Sequence, residues 1–343
     1  MISKAAPHQS NDANFHPHLK RGSRIRVVAP SRSLSIISPS VRRTAEARLS
    51  ELGLVVTFGD NAEEQGHQDT APAACRIKDL NDAIADESID GIISVIGGSY
   101  SIEVAQHIDY QRFKATPKVV CGYSDITVIL NAIFAKTGVA TYYGPHFSSF
   151  GMEVGLDYTL KGFVEQVFIG DLRSYAPSPV WSEDAWYLNQ HDRRFFENTG
   201  PWVLQRGTAS GTVVGGNLVA FHLLCGTAFL PPLARGVLVI EMDGGEGPMT
   251  DRDFVQRMTT ILLQPGADEL KAILIGRLKT NAEIDRERLA SLVSRLPLPE
   301  NIPVVANLDF GHTNPCYTIP IGGTATIAAE DELKLCFGSK ENR

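Results

Sequence analysis

Ser124, His312 and Glu241 have the side-chain types that acyl transfer uses, and each stands at the end of a predicted strand, where open α/β sheets present their sites. Ser124 lies in Lys118-Val-Val-Cys-Gly-Tyr-Ser-Asp-Ile-Thr, an apolar strand that runs into Gly122 and then into a helix. Such a sharp strand-to-helix turn exposes the serine Oγ and aims the next backbone N–H, here that of Asp125, at a developing oxyanion. The helix N-terminus adds a field that favours negative charge. The segment departs from G-x-S-x-G, and a serine at this place also serves as a plain helix cap, so the local pattern leaves both roles open. Val95-Ile-Gly-Gly-Ser-Tyr ends another strand. Its paired glycines allow close backbone approach to a ligand, which makes the Gly98 amide a candidate second oxyanion donor; an ordinary glycine turn fits the same residues.

Glu241 closes the run Val237-Leu-Val-Ile, and His312 lies just past the strand Pro303 to Asn307, in Asn307-Leu-Asp-Phe-Gly-His-Thr. A serine nucleophile needs a base, and the base needs an acid to fix its tautomer; His312 and Glu241 suit those two roles. His107, His146 and His222 compete for the first. His222 reads as a hydrogen-bonded core residue of an apolar helix and His107 as a helix-face residue. Asp243, Glu246 and Asp251 crowd around Glu241, but without the spacing of a calcium loop, and no metal is expected. The chain has no G-x-x-x-x-G-K-[ST], no H-E-x-x-H and no complete G-x-G-x-x-G, so nucleotide hydrolysis and zinc chemistry lose support and no cofactor is expected.

The elements that must position these groups begin at Arg24. Ile25-Arg-Val-Val-Ala reads as a buried strand. Ser38-Pro39 then supplies an N-cap and a proline at the first helical position, Val41, Ala45, Leu49 and Leu52 share one face, and Gly53 is the stop. The scheme repeats with strand 54–58, helix 77–85, strand 91–96, strand 119–122, helix 125–136 and strand 140–143. Strands alternating with helices give a parallel sheet with both faces covered, so an α/β domain is predicted over 24–165 with Ser124 on its nucleophile elbow. Residues 1–23, with His8, His16 and His18, read as a flexible tail. The segment 166–206 lacks periodicity and is rich in Pro, Trp and charged residues; a connection this long is expected to be functional. Residues 207–343 read as a smaller, mixed β-rich domain that carries Glu241 and His312.

Of the 343 residues, 43% are hydrophobic and 21% charged, the balance of a soluble globular protein, and the length suits two domains. Val213 to Leu233 is broken by Asn217, His222 and paired Gly and Pro and falls short of a spanning helix, so no membrane partner is expected. The start lacks the layout of a secretory signal. Five cysteines without a C-x-x-C pair argue against a disulfide framework or a zinc site and fit a reducing, cytoplasmic setting. A net charge of -7 with scattered Lys and Arg is not the footprint of a nucleic-acid polymer binder.

Val28-Ala-Pro-Ser, Asp90-Gly-Ile-Ile-Ser-Val-Ile-Gly-Gly, Gly122-Tyr-Ser-Asp-Ile-Thr, Gly215-Gly-Asn-Leu, Leu238-Val-Ile-Glu and Phe310-Gly-His-Thr follow one another along the chain. In these segments, from Arg24 to about Thr326, the sequence resembles the serine peptidase family of L,D-carboxypeptidases and microcin C immunity proteins. The resemblance implies Ser124 as nucleophile, His312 as base, Glu241 as the group that orients it, and the amides of Gly98 and Asp125 as oxyanion hole. It also implies a site between two domains of a homodimeric, cytoplasmic enzyme. Carboxypeptidases of the family release the terminal D-alanine of murein tetrapeptides, whereas the immunity branch cleaves aminoacyl or peptidyl nucleotides, including acyl sulfamoyl adenylates.

Pro177-Ser-Pro-Val-Trp-Ser-Glu-Asp-Ala-Trp resembles the longer loop of the immunity branch, whose aromatic residues stack on adenine, and this makes Trp181 and Trp186 candidate base contacts. Stacking is worth roughly 1–3 kcal/mol per base; packing of the loop against its own domain is the other use of the two rings. Gly97, Ser99 and Asn217 join them as expected substrate contacts. Where the common carboxypeptidase form has Arg before the Gly-Gly pair, this chain has Ile96, which again leans away from murein. The expected protein is therefore a metal-independent serine hydrolase acting on a small aminoacyl or peptidyl nucleotide. L,D-carboxypeptidase activity is the alternative, and a non-catalytic binding module on the same cleft is the reading from another class.

Overall fold

A computed structural model describes residues 15–243, 250–280 and 283–339. The strands β1 (Arg24–Val28), β2 (Val55–Phe58), β3 (Gly91–Ser94), β4 (Val119–Gly122) and β5 (Thr141–Tyr143) come first along the chain. β6 (Arg173–Ser174), β7 (Val180–Trp181), β8 (Phe196–Glu197) and β9 (Trp202–Gln205) are short pieces of the connecting segment. β10 (Gly207–Asn217), β11 (Gly236–Glu241), β12 (Ala272–Gly276), β13 (Val304–Leu308), β14 (Ile319–Ile321), β15 (Thr324–Ala329) and β16 (Leu333–Gly338) follow.

The first sheet has the order β14-β5-β4-β3-β1-β2, with β1 to β5 mutually parallel. Every residue of β3 and β4 is buried, as strands covered by helices on both faces must be. The helix Pro39–Glu51 forms as its sequence signals: Ser38 accepts from the Val41 amide, Pro39 opens the first turn, and Val41, Ala45 and Leu49 are its buried face. The second sheet has the order β6-β16-β15-β10-β11-β12-β13-β9. Its centre, β10 to β13, is parallel, and its flanks are antiparallel. The architecture is thus a parallel-rich α/β sheet beside a mixed sheet.

The helix Thr127–Thr137 joins the two. Eight consecutive residues, Thr127 to Phe134, are buried, and a helix apolar all round belongs inside a core. Leu130 and Tyr143 fall in the same apolar cluster as Val214 and Ile240 of the second sheet. The sheets also exchange strands: β14, from the C-terminal part, pairs antiparallel with β5 of the first sheet. Its Pro320 has no N–H to give, and β14 lies at the sheet edge, where a proline is tolerated.

The expected flexible tail of residues 1–23 needs correction. Within it, residues 15–23 lie on the body: Phe15 bridges to Val139, Leu19 is buried, and the Tyr142 hydroxyl donates to the Pro17 carbonyl at 2.7 Å. Isolated apolar residues in a polar stretch are enough to dock a terminus against a formed core. His8 lies outside the described residues. The connecting segment 166–206 is not structureless either, since β6 and β9 extend opposite edges of the second sheet and β7 pairs with β8. Among the described residues no helix is long and apolar enough to cross a membrane.

Candidate active site

β4 ends at Gly122, Tyr123 is extended, and Ser124 takes φ +59° before the chain turns into a 3-10 segment and the helix Thr127–Thr137. A non-glycine residue at positive φ stores about 1–3 kcal/mol of strain, which the surrounding packing must hold. The turn lifts the Ser124 side chain toward the second sheet. There His312, just past β13, places Nε2 2.9 Å from Ser124 Oγ. Its Nδ1 is 2.8 Å from Oε2 of Glu241, the last residue of β11. Gly311 makes this approach possible: with φ +110°, a Cβ on it would sit 2.8 Å from the Glu241 side chain. Residues 188 apart in sequence thus meet because three strand ends converge on one point.

Glu241 is fully buried and its second oxygen is fully used. Oε1 accepts from the Tyr143 hydroxyl at 2.7 Å and from Asn217 Nδ2 at 2.9 Å. Burial pushes the Glu241 carboxyl up, but the facing His312 and these hydrogen bonds outweigh it and hold the pKa below the ordinary value. For His312, burial pushes the imidazole down; the Glu241 carboxylate, with Asp243 behind it, overrides this and holds it above the ordinary value. Asp243 Oδ2 is 3.5 Å from His312 Nε2 and 3.4 Å from Lys279 Nζ.

Gly97 faces the serine from the loop that follows β3, and Gly98 beside it backs onto Ser31 and Arg32. A Cβ on Gly97 would lie 2.9 Å from Ser124 Cβ and 3.1 Å from its Oγ, so this loop packs against Ser124 only because it carries no side chain there. The loop is tied to the elbow from below. The buried Asp125 carboxylate accepts from Ser31 Oγ at 2.6 Å and from the Ser101 amide at 2.9 Å, and Ser101 Oγ donates to the Asp125 carbonyl at 2.7 Å. Ser31 closes the Val28-Ala-Pro-Ser segment, which by itself assigns the serine no role, and Ser101 escapes sequence reading because nothing in its local pattern marks it. Tyr143 escapes it too; its signal is a polar-tipped ring at the end of a wholly buried strand.

Ser124, His312, Gly97, Gly98, Ser99 and Trp186 line a cavity of about 890 Å³. Trp181 and Asn217, expected at the substrate, do not line it. Trp181 stands in the β7–β8 hairpin, where its ring packs on Phe196 at 4.9 Å and under the Arg277 guanidinium at 5.1 Å; cross-strand pairing and a cation–π contact engage the ring. Asn217 is buried with its amide turned inward, donating to Glu241 and accepting from the Ala220 amide as a helix N-cap. Of the other acidic candidates, Asp251 pairs with Arg288 and Glu246 lies outside the described residues.

His146, a competing base by sequence, also lines the cavity, while His107 is exposed and His222 half-buried. The His146 pKa is pushed well below the ordinary value by burial and by the charges of His312 and Arg32. Cys316 lines the same cavity, but burial pushes its thiol up to about 12, which makes it a poor nucleophile near neutrality. No cluster of three or more His, Cys, Asp or Glu suited to a metal occurs among the described residues. The arrangement can deprotonate a serine hydroxyl and hold the resulting imidazolium beside a carboxylate.

Residues 25–144 match the family described as LD-carboxypeptidase N-terminal domain and residues 210–327 the one described as LD-carboxypeptidase C-terminal domain. YocD of Bacillus subtilis, provisionally named a carboxypeptidase, is 40% identical over 312 residues, covering 91% of this chain and 95% of its own. The microcin C7 self-immunity protein MccF of Escherichia coli is 28% identical over 257 residues, 72% of this chain and 73% of its own. A crystal structure of an MccF-like protein from Bacillus anthracis is 39% identical with a TM-score of 0.92, covering 95% of this chain and 100% of that one. On these matches the chain belongs to the LD-carboxypeptidase family.

Proposed function

We propose that this protein is a serine hydrolase that cleaves the acyl bond of aminoacyl or peptidyl nucleotides, acyl sulfamoyl adenylates among them. Ser124 Oγ attacks the acyl carbonyl while its proton passes to His312 Nε2. The amides of Gly98 and Asp125 hold the oxyanion, and Glu241 stabilises the imidazolium. Collapse of the tetrahedral intermediate breaks the bond to the leaving group, which takes the proton from His312. Water, deprotonated in turn by His312, then releases the acid and regenerates Ser124. The chain itself supplies base, orienting carboxylate and oxyanion donors, so the reading uses neither metal nor cofactor.

The observation that carries the reading is the unbroken Ser124–His312–Glu241 line at a cavity that also presents Trp186. An indole there offers a face on which a nucleobase can stack. Relatives support it: MccF, whose fold this chain shares at a TM-score of 0.84 and 22% identity, is known in complex with glutamyl sulfamoyl guanosine. The reading places the enzyme in the cytoplasm, which cell fractionation tests, and makes it a homodimer, which light scattering of the purified protein tests.

A second reading, release of a terminal D-amino acid from murein peptides, draws on a different feature. Arg32 and Lys279 line the cavity and can meet a free carboxylate, and a murein tetrapeptide carboxypeptidase of Pseudomonas aeruginosa is 23% identical over 313 residues. Mass spectrometry of products from an aminoacyl sulfamoyl adenosine and a murein tetrapeptide, incubated together with wild type or Ser124→Ala, separates the two. Free amino acid released only with Ser124 present is the expected result. D-alanine released instead makes the second reading correct, and product formation by Ser124→Ala overturns both.

A further inference from the structure

A second imidazole faces the reacting centre and is not used by the proposed chemistry. His146 follows β5 and is 1% exposed, yet its ring borders the cavity. The Cβ position of Gly97 is 3.1 Å from Ser124 Oγ and 3.5 Å from His146 Nε2, so the two atoms flank the same glycine at the cavity wall. The ring is held on its other sides. Nδ1 is 2.7 Å from Ser94 Oγ, and the ring stacks on Tyr123 at 4.1 Å. Nε2 has no protein partner among the described residues. A ring nitrogen that opens onto a cavity takes its hydrogen bond from what binds there.

The proton arrangement follows from the bonds around it. Ser94 Oγ also lies 3.4 Å from the Cys121 carbonyl, to which it can only donate. Running the chain as His146 Nδ1–H to Ser94 Oγ, and Ser94 O–H to the Cys121 carbonyl, gives every group a partner and leaves the Nε2 lone pair in the cavity. The nearby positive charge of Arg32, and of His312 once protonated, favours a lone pair over an N–H at that place. Burial and those same charges keep the ring neutral.

We propose that His146 Nε2 accepts a hydrogen bond from the nitrogen on the α-carbon of the substrate's acyl residue, and so selects α-amino and N-acylamino acyl groups over acyl groups without that N–H. The α-nitrogen is attached to the carbon next to the carbonyl that Ser124 attacks, so a substrate seated for attack carries it along the cavity wall beside Gly97, where Nε2 opens. This inference rests on the serine hydrolase reading. It adds the group on the acyl side that the cavity is built to recognise.

The test is the ratio of kcat/KM for an aminoacyl sulfamoyl adenosine and its des-amino analogue, measured with wild type, His146→Phe, His146→Gln and Ser124→Ala. A general loss of activity cancels in the ratio. A hydrogen bond from a charged or amide N–H predicts a wild-type preference of roughly ten- to a hundredfold for the amino substrate. His146→Phe brings the ratio close to unity, and His146→Gln, whose amide oxygen can accept, retains part of it. Ser124-dependent turnover with the same ratio in wild type and His146→Phe overturns this inference and leaves the hydrolase reading intact. Turnover of neither substrate by wild type, or turnover that survives Ser124→Ala, overturns both together.

Discussion

Replacing Glu241 by glutamine tests the proposed chemistry at its least accessible atom. Two donors, the Tyr143 hydroxyl and Asn217 Nδ2, converge on Oε1, and His312 Nδ1 meets Oε2. A glutamine of the same shape must choose which side receives its NH2 group. Turned toward Asn217, it sets two donors against each other in a fully buried place, at about 1–3 kcal/mol for the group left unpaired. The surroundings therefore keep the amide oxygen on the Tyr143 side and aim the NH2 group at His312. Nδ1 must then accept, which moves the ring proton to Nε2, where it faces Ser124 as a donor and cannot take a proton. The negative charge that stabilises the imidazolium is lost as well. The corresponding change in aspartate-containing triads costs about 10⁴ in kcat, and a fall of about 10³–10⁴ is expected here with KM little changed. Steady-state product release measured by mass spectrometry, with a thermal melt to show that the variant folds, reads this directly. A folded Glu241→Gln that keeps kcat within about tenfold of wild type refutes the role given to Glu241.

Three further outcomes follow. Because the facing carboxylates raise the His312 pKa, the basic form is lost as pH falls through a value above the ordinary imidazole pKa of about 6.5. A profile of kcat/KM should therefore already decline just below neutrality, and one that stays flat to about pH 5 removes His312 as the base. Gly97→Ala places a methyl group 2.9 Å from Ser124 Cβ; displacing the nucleophile by a fraction of an ångström should cost about 10² in kcat/KM, with the melting temperature little altered, and an unimpaired variant contradicts the packing described. Trp186→Ala should raise KM for a nucleotide substrate about tenfold or more. Trp181→Ala, which removes the Phe196 and Arg277 contacts, should lower the melting temperature before it affects KM; the reverse order is evidence that the two rings have been assigned the wrong way round.

The convergence of Ser124, Glu241 and His312 was open to sequence reading because each ends an apolar run, and the ends of parallel strands gather at one edge of a sheet. What lay beyond reach was the direction a side chain faces. Asn217 stands beside the site, but whether its amide points out to a ligand or in toward Glu241 depends on the register of β10 against β11, which pairs Asn217 with Glu241. Trp181 and Trp186 are five residues apart in a stretch without period, so no pattern separates a ring held in a hairpin from one that borders the cavity. β14 is three residues long and contains a proline, which local propensity reads as anything but a strand; only an unpaired edge on β5 makes it one. Residues 15–23 failed for a related reason, since one buried leucine at Leu19 carries no periodic signal.

The exchange of β14 into the first sheet also bears on how the molecule is made. During synthesis the strands β1 to β5 emerge early, yet the free edge of β5 waits for residues 319–321 to close it. Ser124 meets His312 only at the same late stage, since the two are separated by 188 residues. A nascent or truncated chain therefore carries Ser124 without His312, and the line from Ser124 to Glu241 is assembled only when nearly the whole polypeptide has been translated.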